Sequence, residues 1–271
     1  MQESYSNKEL TYHKYEIFSQ LQIPPDTPFF VRLDGRRFKA ISEKIDAEKP
    51  FDERLAKCLT ASAKAIFQNN FNPTLVYVAS DEINVLFLYN APFKRRVEKT
   101  DSILAGIVSS TVSLNILKFF EKSVITSFDS RIIPSSKEKL IGHLVWRQRD
   151  AWRNHNNSYA YWLFRKKGHK PSEVTKILTR LKTKDIHETL FRHGINLAET
   201  PPWQRRGFLI YRNPYQKQVE DKRVTRRRVE ENWNLSLFSS KEGRDFIEKI
   251  LEWANPNRGN KIVRTSTTKN R

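Results

Sequence analysis

Apolar positions in the first half of the chain switch between two periods. Tyr5 to Leu21 has the spacing of an amphipathic helix and is stopped by Pro24-Pro25. Pro28 to Leu33 is a short aromatic and β-branched run, which predicts a strand ending at Asp34-Gly35. A turn region through Pro50 leads to a helix over Asp52 to Gln68, with Leu55, Leu59, Ala63 and Ile66 on one face. Asn69 to Pro73 breaks that helix. Two strand-like runs follow, Thr74 to Ala79 and Ile83 to Tyr89, and the short polar Ser80-Asp81-Glu82 between them predicts a hairpin. Thr100 to Phe120 reads as another helix and Val124 to Phe128 as a further strand. The order β–α–β–β–α–β predicts an α+β fold, the ferredoxin-like arrangement with helices on one face of an antiparallel sheet.

Beyond Pro134 the pattern becomes longer and more basic. Lys137 to Lys167 predicts a long helix, Pro171 to His193 two shorter ones, and Gly207 to Arg212 a strand returning to the sheet. Residues 213–235 are charged and carry no clear period. Gly243 to Trp253 predicts a last helix, and the polar, basic end from Asn255 to Arg271 reads as a disordered tail. The expected organisation is a first domain over 1–135, a basic helical region over 136–254 and a tail over 255–271.

Composition narrows the class. Aromatic content of 12% and 38% hydrophobic residues suit a folded protein. The net charge is +19 and uneven: residues 1–140 hold 20 Lys/Arg and 17 Asp/Glu, residues 141–271 hold 29 and 13. So strong a basic bias in one half draws phosphate polyanions by steering and counterion release. An anionic membrane is a weaker competitor, because no basic amphipathic helix stands out. Met1 to Leu10 lacks a signal-peptide core, and no apolar run is expected to approach the roughly 20 residues that cross a bilayer. Cys58 is the only cysteine, so no disulfide forms within the chain and a reducing, cytoplasmic compartment is expected. Its helical neighbourhood makes Cys58 a buried small hydrophobe.

Two acidic residues draw attention through what precedes them. Asp34 sits where an apolar strand emerges, and Asp81 lies at the tip of the following hairpin. In a β–α–β–β sheet those two strand ends can meet at one edge. Carboxylates a few ångströms apart repel unless a cation neutralises them, and Mg²⁺ suits oxygen ligands while leaving positions for substrate phosphates. Two such ions can clamp an in-line phosphoryl transfer. Gly35 lets the backbone approach a ligand, and Gly35-Arg36-Arg37-Phe38-Lys39 offers N–H groups and cations to a triphosphate, without the spacing of a Walker loop. The six histidines show no metal-ligand spacing with cysteine and read as surface or hydrogen-bonded side chains. Trp146, Trp152, Tyr159, Tyr161 and Trp162 read as a helical core stripe, with Arg147, Arg149 and Arg153 on the same helix as phosphate contacts.

These residues also form a recognisable pattern. Phe30-Val31-Arg32-Leu33-Asp34-Gly35-Arg36-Arg37-Phe38, Lys49-Pro50, Ser80-Asp81-Glu82, Phe93-Lys94-Arg95-Arg96, Trp146-Arg147-Gln148 and Pro202-Trp203-Gln204-Arg205-Arg206-Gly207 together resemble the tRNA(His) guanylyltransferase family, in order from about residue 10 to 212. The Ser-Asp-Glu-Ile-Asn form looks more like the archaeal-type and guanylyltransferase-like branch. The resemblance implies a palm-type polymerase core that extends RNA at its 5′ end, in the 3′-to-5′ direction. ATP would activate the 5′ end, and the 3′-hydroxyl of an incoming nucleotide, usually GTP, would displace AMP. It implies that Asp34, Asp81 and the Gly35 carbonyl hold two Mg²⁺ ions. Gly35 to Lys39, Ser80, Lys49, Arg96 and Lys99 would meet nucleotide phosphates. Candidate tRNA contacts are Arg147, Arg149, Arg153, Asn154, Arg205, Arg206, Arg226, Arg227 and Arg228. A homo-oligomer, dimer or tetramer, is expected. Where eukaryotic members carry a His after Asp-Gly-Arg-x-Phe, this chain has Lys39. Two other readings use the same core: a palm-fold nucleotide cyclase, and a non-catalytic RNA-binding module. The basic second half argues against the first, and the acidic hairpin tip against the second.

Overall fold

Leu75 to Ala79 and Ile83 to Phe87 are buried at every position, so both faces of the strands they form must be covered. A computed structural model, which describes residues 13–220 and 222–255, shows how. Strands β1 (Phe29–Gly35), β2 (Leu75–Ala79), β3 (Glu82–Phe87), β4 (Phe128–Pro134), β5 (Phe208–Val219) and β6 (Lys222–Asn232) form one antiparallel sheet in the order β4-β1-β3-β2-β5-β6. The first four strands, with helices α2 (Glu53–Gln68) and α3 (Val97–Phe120), make the expected βαββαβ unit. Both helices pack on one face. From the strands, Val31, Leu33, Val76, Val78, Ile83 and Val85 meet Leu59, Ala63 and Ile66 of α2 and Leu104, Val108, Val112 and Ile116 of α3. The buried α3 residues recur every fourth position, a single stripe.

Helices from the second half cover the opposite face. α4 (Leu140–Lys166) and α8 (Lys241–Trp253) enclose Phe30, Leu75, Tyr77, Leu86, Leu209 and Tyr211 with Leu140, Leu144, Val145, Ile247 and Ile250. A third, smaller cluster joins Ala160 of α4 to Ile186 and Leu190 of α6 (Thr183–Phe191), beside α5 (Pro171–Arg180). The short α7 (Pro202–Arg206) leads through Gly207 into β5.

Several sequence expectations change. The turn region before Pro50 contains a helix, α1 (Phe38–Lys44), entered through Arg37 in the left-handed conformation at φ 57°. The fourth strand begins at Phe128 and does not span Val124–Phe128. Thr126 donates its backbone N–H to Ser113 Oγ (2.9 Å) and Phe128 donates its own to Ser109 Oγ (3.0 Å), so α3 serines hold this segment in place of a strand partner. Residues 213–232, which show no clear period, form most of the β5–β6 ribbon. Within the Tyr5–Leu21 prediction, residues 13–21 carry one 3₁₀ turn (His13–Tyr15) and no α-helix. Ile17, Phe18 and Leu21 are exposed there and bury no apolar stripe, which is where most helix stability comes from. Residues 1–12 of that prediction and 256–271 of the tail lie outside the described residues. Finally, α3 is long and apolar enough by length and composition to cross a membrane, contrary to expectation, yet here it lies along α2 and the sheet.

Candidate active site

The strand register fixes the acidic cluster. Asp34, near the end of β1, lies opposite Glu82 of β3 and Asp129 of β4. The β2–β3 turn closes through Ser80 at φ 56°, and Ser80 Oγ donates to Asp81 Oδ1 (3.1 Å). The Gly35 N–H donates to the Asp81 carbonyl (3.1 Å), stitching the exit of β1 to the hairpin tip. Asp34 and Asp81 therefore stand at one end of the sheet, as the sequence predicts. Burial, with the Asp34 charge adding to it, pushes the Asp81 carboxyl up to about 6. Carboxylates so placed repel each other, and a hard cation would neutralise them. Among the described residues no three His, Cys, Asp or Glu side chains form a metal cage. An ion here would rest on two carboxylates and backbone oxygen, with positions left for phosphate oxygens, and that donor set fits Mg²⁺.

The neighbouring acids are committed elsewhere. Glu82 receives Arg147 Nε and Nη2 at 2.6 and 2.7 Å, and Asp150 takes a further bond from Arg147 Nη2 (2.8 Å). Asp129 accepts from Arg131 (2.6 Å). Gly35 has a packing reason as well: a Cβ there would lie 2.3 Å from the Phe38 ring, which turns into the core edge-on to Phe128.

Beside the acidic pair a cavity of about 470 Å³ opens between α1, the 47–52 loop, α4 and α7. Ser80 and Asp81 line it, as do Lys39 and Lys49, both expected at nucleotide phosphates. Lys39 Nζ donates to Tyr161 Oη (3.1 Å) and lies over that ring. Lys49 Nζ donates to Ser42 Oγ (2.6 Å) and faces the Trp162 ring. Burial lowers the Lys49 pKa, a shift that an incoming anion would reverse. Arg36 and Arg37 are exposed at the turn after Gly35.

Other expectations separate from this site. Arg96 bridges Gln22, and Ile23 bonds the Arg95 carbonyl (3.0 Å); two residues beyond Lys99, Asp101 accepts from Ser130 Oγ (2.6 Å), which lies opposite Leu33. Arg147 is buried in its carboxylate pairs and so is withdrawn from RNA. Arg206 is partly buried: its Nη1 donates to the Leu235 carbonyl (2.8 Å), and its own carbonyl receives Tyr77 Oη (2.9 Å). Arg205 is partly buried beside it. Arg149 and Arg153 remain exposed, Arg153 paired with Asp150. Asn154 is exposed and lines the cavity. Arg226, Arg227 and Arg228 lie on β6, far along the sheet.

The aromatic stripe divides. Trp152 and Tyr159 pack around His155, which is fully buried between Asn156 (3.0 Å) and Thr200 (2.9 Å), the hydrogen-bonded histidine expected. Trp146 is exposed, with Arg147 over its ring. Tyr161 and Trp162 line the cavity, together with Asn157 and Gln204, which sequence reasoning did not single out. For Asn157 the signal is its spacing along α4, readable once the helix's orientation is known; Gln204 lies on α7.

Comparison with known proteins agrees with this arrangement. Residues 10–136 match the family described as tRNAHis guanylyltransferase, and residues 138–246 match that described as Thg1 C terminal domain. The tRNA(His) guanylyltransferase of Candida glabrata is 30% identical over 211 residues, covering 73% of this chain and 89% of that protein. tRNA(His) guanylyltransferase 1 of Arabidopsis thaliana is 27% identical over 222 residues; the match covers 79% of this chain but 39% of that longer protein. A solved bacterial tRNA(His) guanylyltransferase-like protein in complex with ATP superposes with a TM-score of 0.72 at 24% identity, over 91% of this chain and 99% of that one. Tandem matches from residue 10 to 246, on a palm-type sheet with its acidic pair at one end, make the chain a member of the tRNA(His) guanylyltransferase family.

Proposed function

We propose that the protein adds nucleotides to the 5′ end of tRNA in the 3′-to-5′ direction, by template-directed repair of truncated ends, by guanosine addition to tRNA(His), or by both. The observation that carries this is the convergence of Asp34 and Asp81 beside a cavity walled by Lys39 and Lys49. ATP would activate the 5′ end, and GTP would be the usual incoming nucleotide. Two Mg²⁺ ions, when bound, would neutralise the carboxylates and polarise the reacting phosphoryl oxygens. Asp34, Asp81 and the Gly35 carbonyl would hold them.

The chain's own residues do the rest. Ser80 and the turn after Gly35, with Arg36 and Arg37, face the phosphates. Lys39 and Lys49 would leave their aromatic and hydroxyl partners to meet a triphosphate, exchanging modest contacts for charge-assisted ones. Tyr161 and Trp162 would then be released as flat surfaces for a base. Arg149, exposed on α4, would meet the RNA backbone.

We further propose that the protein works in the cytoplasm and as a homo-oligomer. The outer face of α3 supports self-association. Residues 102–117 carry no charge in a chain of net +19, and Leu114 and Leu117 are 68% and 50% exposed.

The test is incubation with 5′-truncated tRNA, ATP, GTP and Mg²⁺. Products lengthened at the 5′ end are expected, and Asp34→Ala or Asp81→Ala should abolish them while leaving the circular dichroism unchanged. Tight RNA binding with no extension on any truncated tRNA would sink the catalytic reading. Cyclic nucleotide formation would replace it with the cyclase.

A further inference from the structure

Several polar groups on the cavity wall are committed to protein partners. Both Asp52 oxygens are taken, by the Glu48 N–H (2.8 Å) and by the backbone and guanidinium of Arg54. Ser42 accepts from Lys49 (2.6 Å) and donates to the Lys39 carbonyl (2.8 Å). Gln204 differs, because it is bonded through one end of its amide. Tyr159 Oη donates to Gln204 Oε1 (2.6 Å), and among the described residues Gln204 Nε2 has no partner. Buried, unpartnered side-chain nitrogens and oxygens are there confined to Arg32 Nε and Arg205 Nε. Gln204 Nε2 therefore opens onto accessible space, and at Gln204 that space is the cavity.

The Tyr159 bond also fixes which end of the amide faces inward. A free carboxamide turns over readily, exchanging a donor for an acceptor. A flip here would set an N–H against Tyr159 Oη. The hydroxyl proton would then lose Gln204 Oε1, its one acceptor among the described residues. Burial raises the Tyr159 pKa and keeps that proton on the ring oxygen. Tyr159 is itself held by its neighbours, with ring centroids 4.9 Å from His155 and 6.0 Å from Phe51. α7, which carries Gln204, is tied to α4 a second time where Gln148 Nε2 reaches the Arg206 carbonyl (3.4 Å). Asn154 and Asn157 also stand on the wall, but no side-chain bond among the described residues holds their amides. The one amide of fixed polarity on this wall is a donor.

We infer that Gln204, locked by Tyr159, is the group through which the cavity reads a purine, donating to a ring nitrogen that adenine and guanine share, N7 or N3. The two bases differ in their exocyclic groups: at position 6 adenine carries an amino donor and guanine an oxygen acceptor. A fixed donor at that edge would take guanine and turn adenine away. N7 and N3 are acceptors in both bases, so a donor aimed at either admits both. Such a reader suits an enzyme that uses ATP as well as GTP, and it leaves the choice of the added base to pairing with the template. A donor that meets carbon in place of nitrogen goes unpaired, which is how a polar site rejects an analogue. This inference rests on the reading of the cavity as a nucleotide site, and it adds which side chain meets the base.

The experiment measures binding of nucleoside triphosphates to the full-length chain with Mg²⁺ by titration calorimetry. ATP and GTP are compared with their 7-deaza and 3-deaza forms, in which one ring nitrogen becomes C–H. In the wild type one of the two replacements should weaken binding roughly tenfold, at the same ring position in both bases. Gln204→Met keeps the length of the side chain without its donor. It should bind ATP and GTP more weakly, and its natural-to-deaza ratio should fall to within about twofold. Tyr159→Phe frees the amide to turn, so its ratio should lie between those two. Each ratio is taken within one protein, so a partly unfolded variant does not distort it. Equal binding of natural and deaza forms by the wild type overturns the inference, as does a loss confined to adenine or to guanine. A Gln204→Met or Tyr159→Phe protein that keeps the wild-type ratio overturns it too. A wild type that binds neither ATP nor GTP removes it together with the nucleotide reading of the cavity. If the wild type shows the ratio but extends no truncated tRNA, the catalytic reading falls and the role of Gln204 stands. If it extends tRNA and is indifferent to both ring nitrogens, the role of Gln204 alone falls.

Discussion

At the scale of single residues, Arg147 has the widest consequence, because it joins the catalytic hairpin to α4. Its guanidinium forks onto Glu82, next to Asp81, and reaches Asp150, with about a tenth of the side chain exposed. Removing one member of a buried pair leaves the other charge uncompensated, at a cost of about 3–5 kcal/mol. Arg147→Ala should therefore lower stability by that order in a denaturant melt. Arg147→Lys keeps the charge but loses the fork; the protein should stay folded, with kcat falling at least tenfold and KM for nucleotide little changed. A Lys variant with wild-type kcat would mean that the pair has no part in positioning Asp81. His155 carries a second prediction. Burial holds its pKa down to about 4 from an ordinary 6.5. The unfolded chain thus binds a proton that the folded one refuses between those values, and stability must fall as pH drops through that window. The full difference is worth about 3 kcal/mol. His155→Gln should start less stable at pH 8 but lose less between pH 6.5 and 4 in thermal melts. An equal loss in both proteins would assign the acid sensitivity to another group.

At the scale of elements, the joint between α7 and β5 is the tightest. Gly207 sits at φ 72°, and a Cβ there would fall 2.3 Å from the Val78 carbonyl and against the Tyr77 ring. Gly207→Ala should cost about 2–4 kcal/mol through backbone strain and overpacking, read as a lower denaturation midpoint. A wild-type midpoint would show that β5 can enter the sheet another way. The elements legible in the sequence are those with an apolar period: β1, the β2–β3 hairpin, α2, α3 and α4 each bury a stripe or both faces. That is also why Asp34 and Asp81 stand out in the sequence, Asp34 near the exit of an apolar strand and Asp81 on the turn between two. α1 escaped because seven residues with two buried positions make too short a pattern. β6 escaped because Arg226 to Arg228 lie on a ribbon with no packed face, where alternation has no apolar residue to mark it. Partnership across the fold escaped too: nothing near Arg147 in sequence names Glu82, 65 residues away.

At the scale of the whole molecule, charge and apolar surface are segregated, and the segregation sets how copies can meet. A net +19 repels a second copy almost everywhere. The outer face of α3 is an uncharged stretch of surface, where Ile103, Leu114 and Leu117 stand exposed among Gly106, Ser110 and other uncharged residues. The helix's 24 residues give about 36 Å of contact length. A two-fold pairing would bury the same stripe from both copies. Leu114→Lys with Leu117→Lys adds two charges to that stripe without touching the buried one of Leu104, Val108, Val112 and Ile116. The substituted positions face outward, so folding stability should change by no more than about 0.5 kcal/mol for each. Sedimentation equilibrium should show the wild type as a dimer or larger and the double variant at the mass of one chain, with the same circular dichroism. A wild type already monomeric at micromolar concentration, or a variant that keeps the oligomer's mass, would remove α3 as the meeting face and leave its exposed leucines without a partner of the chain's own kind.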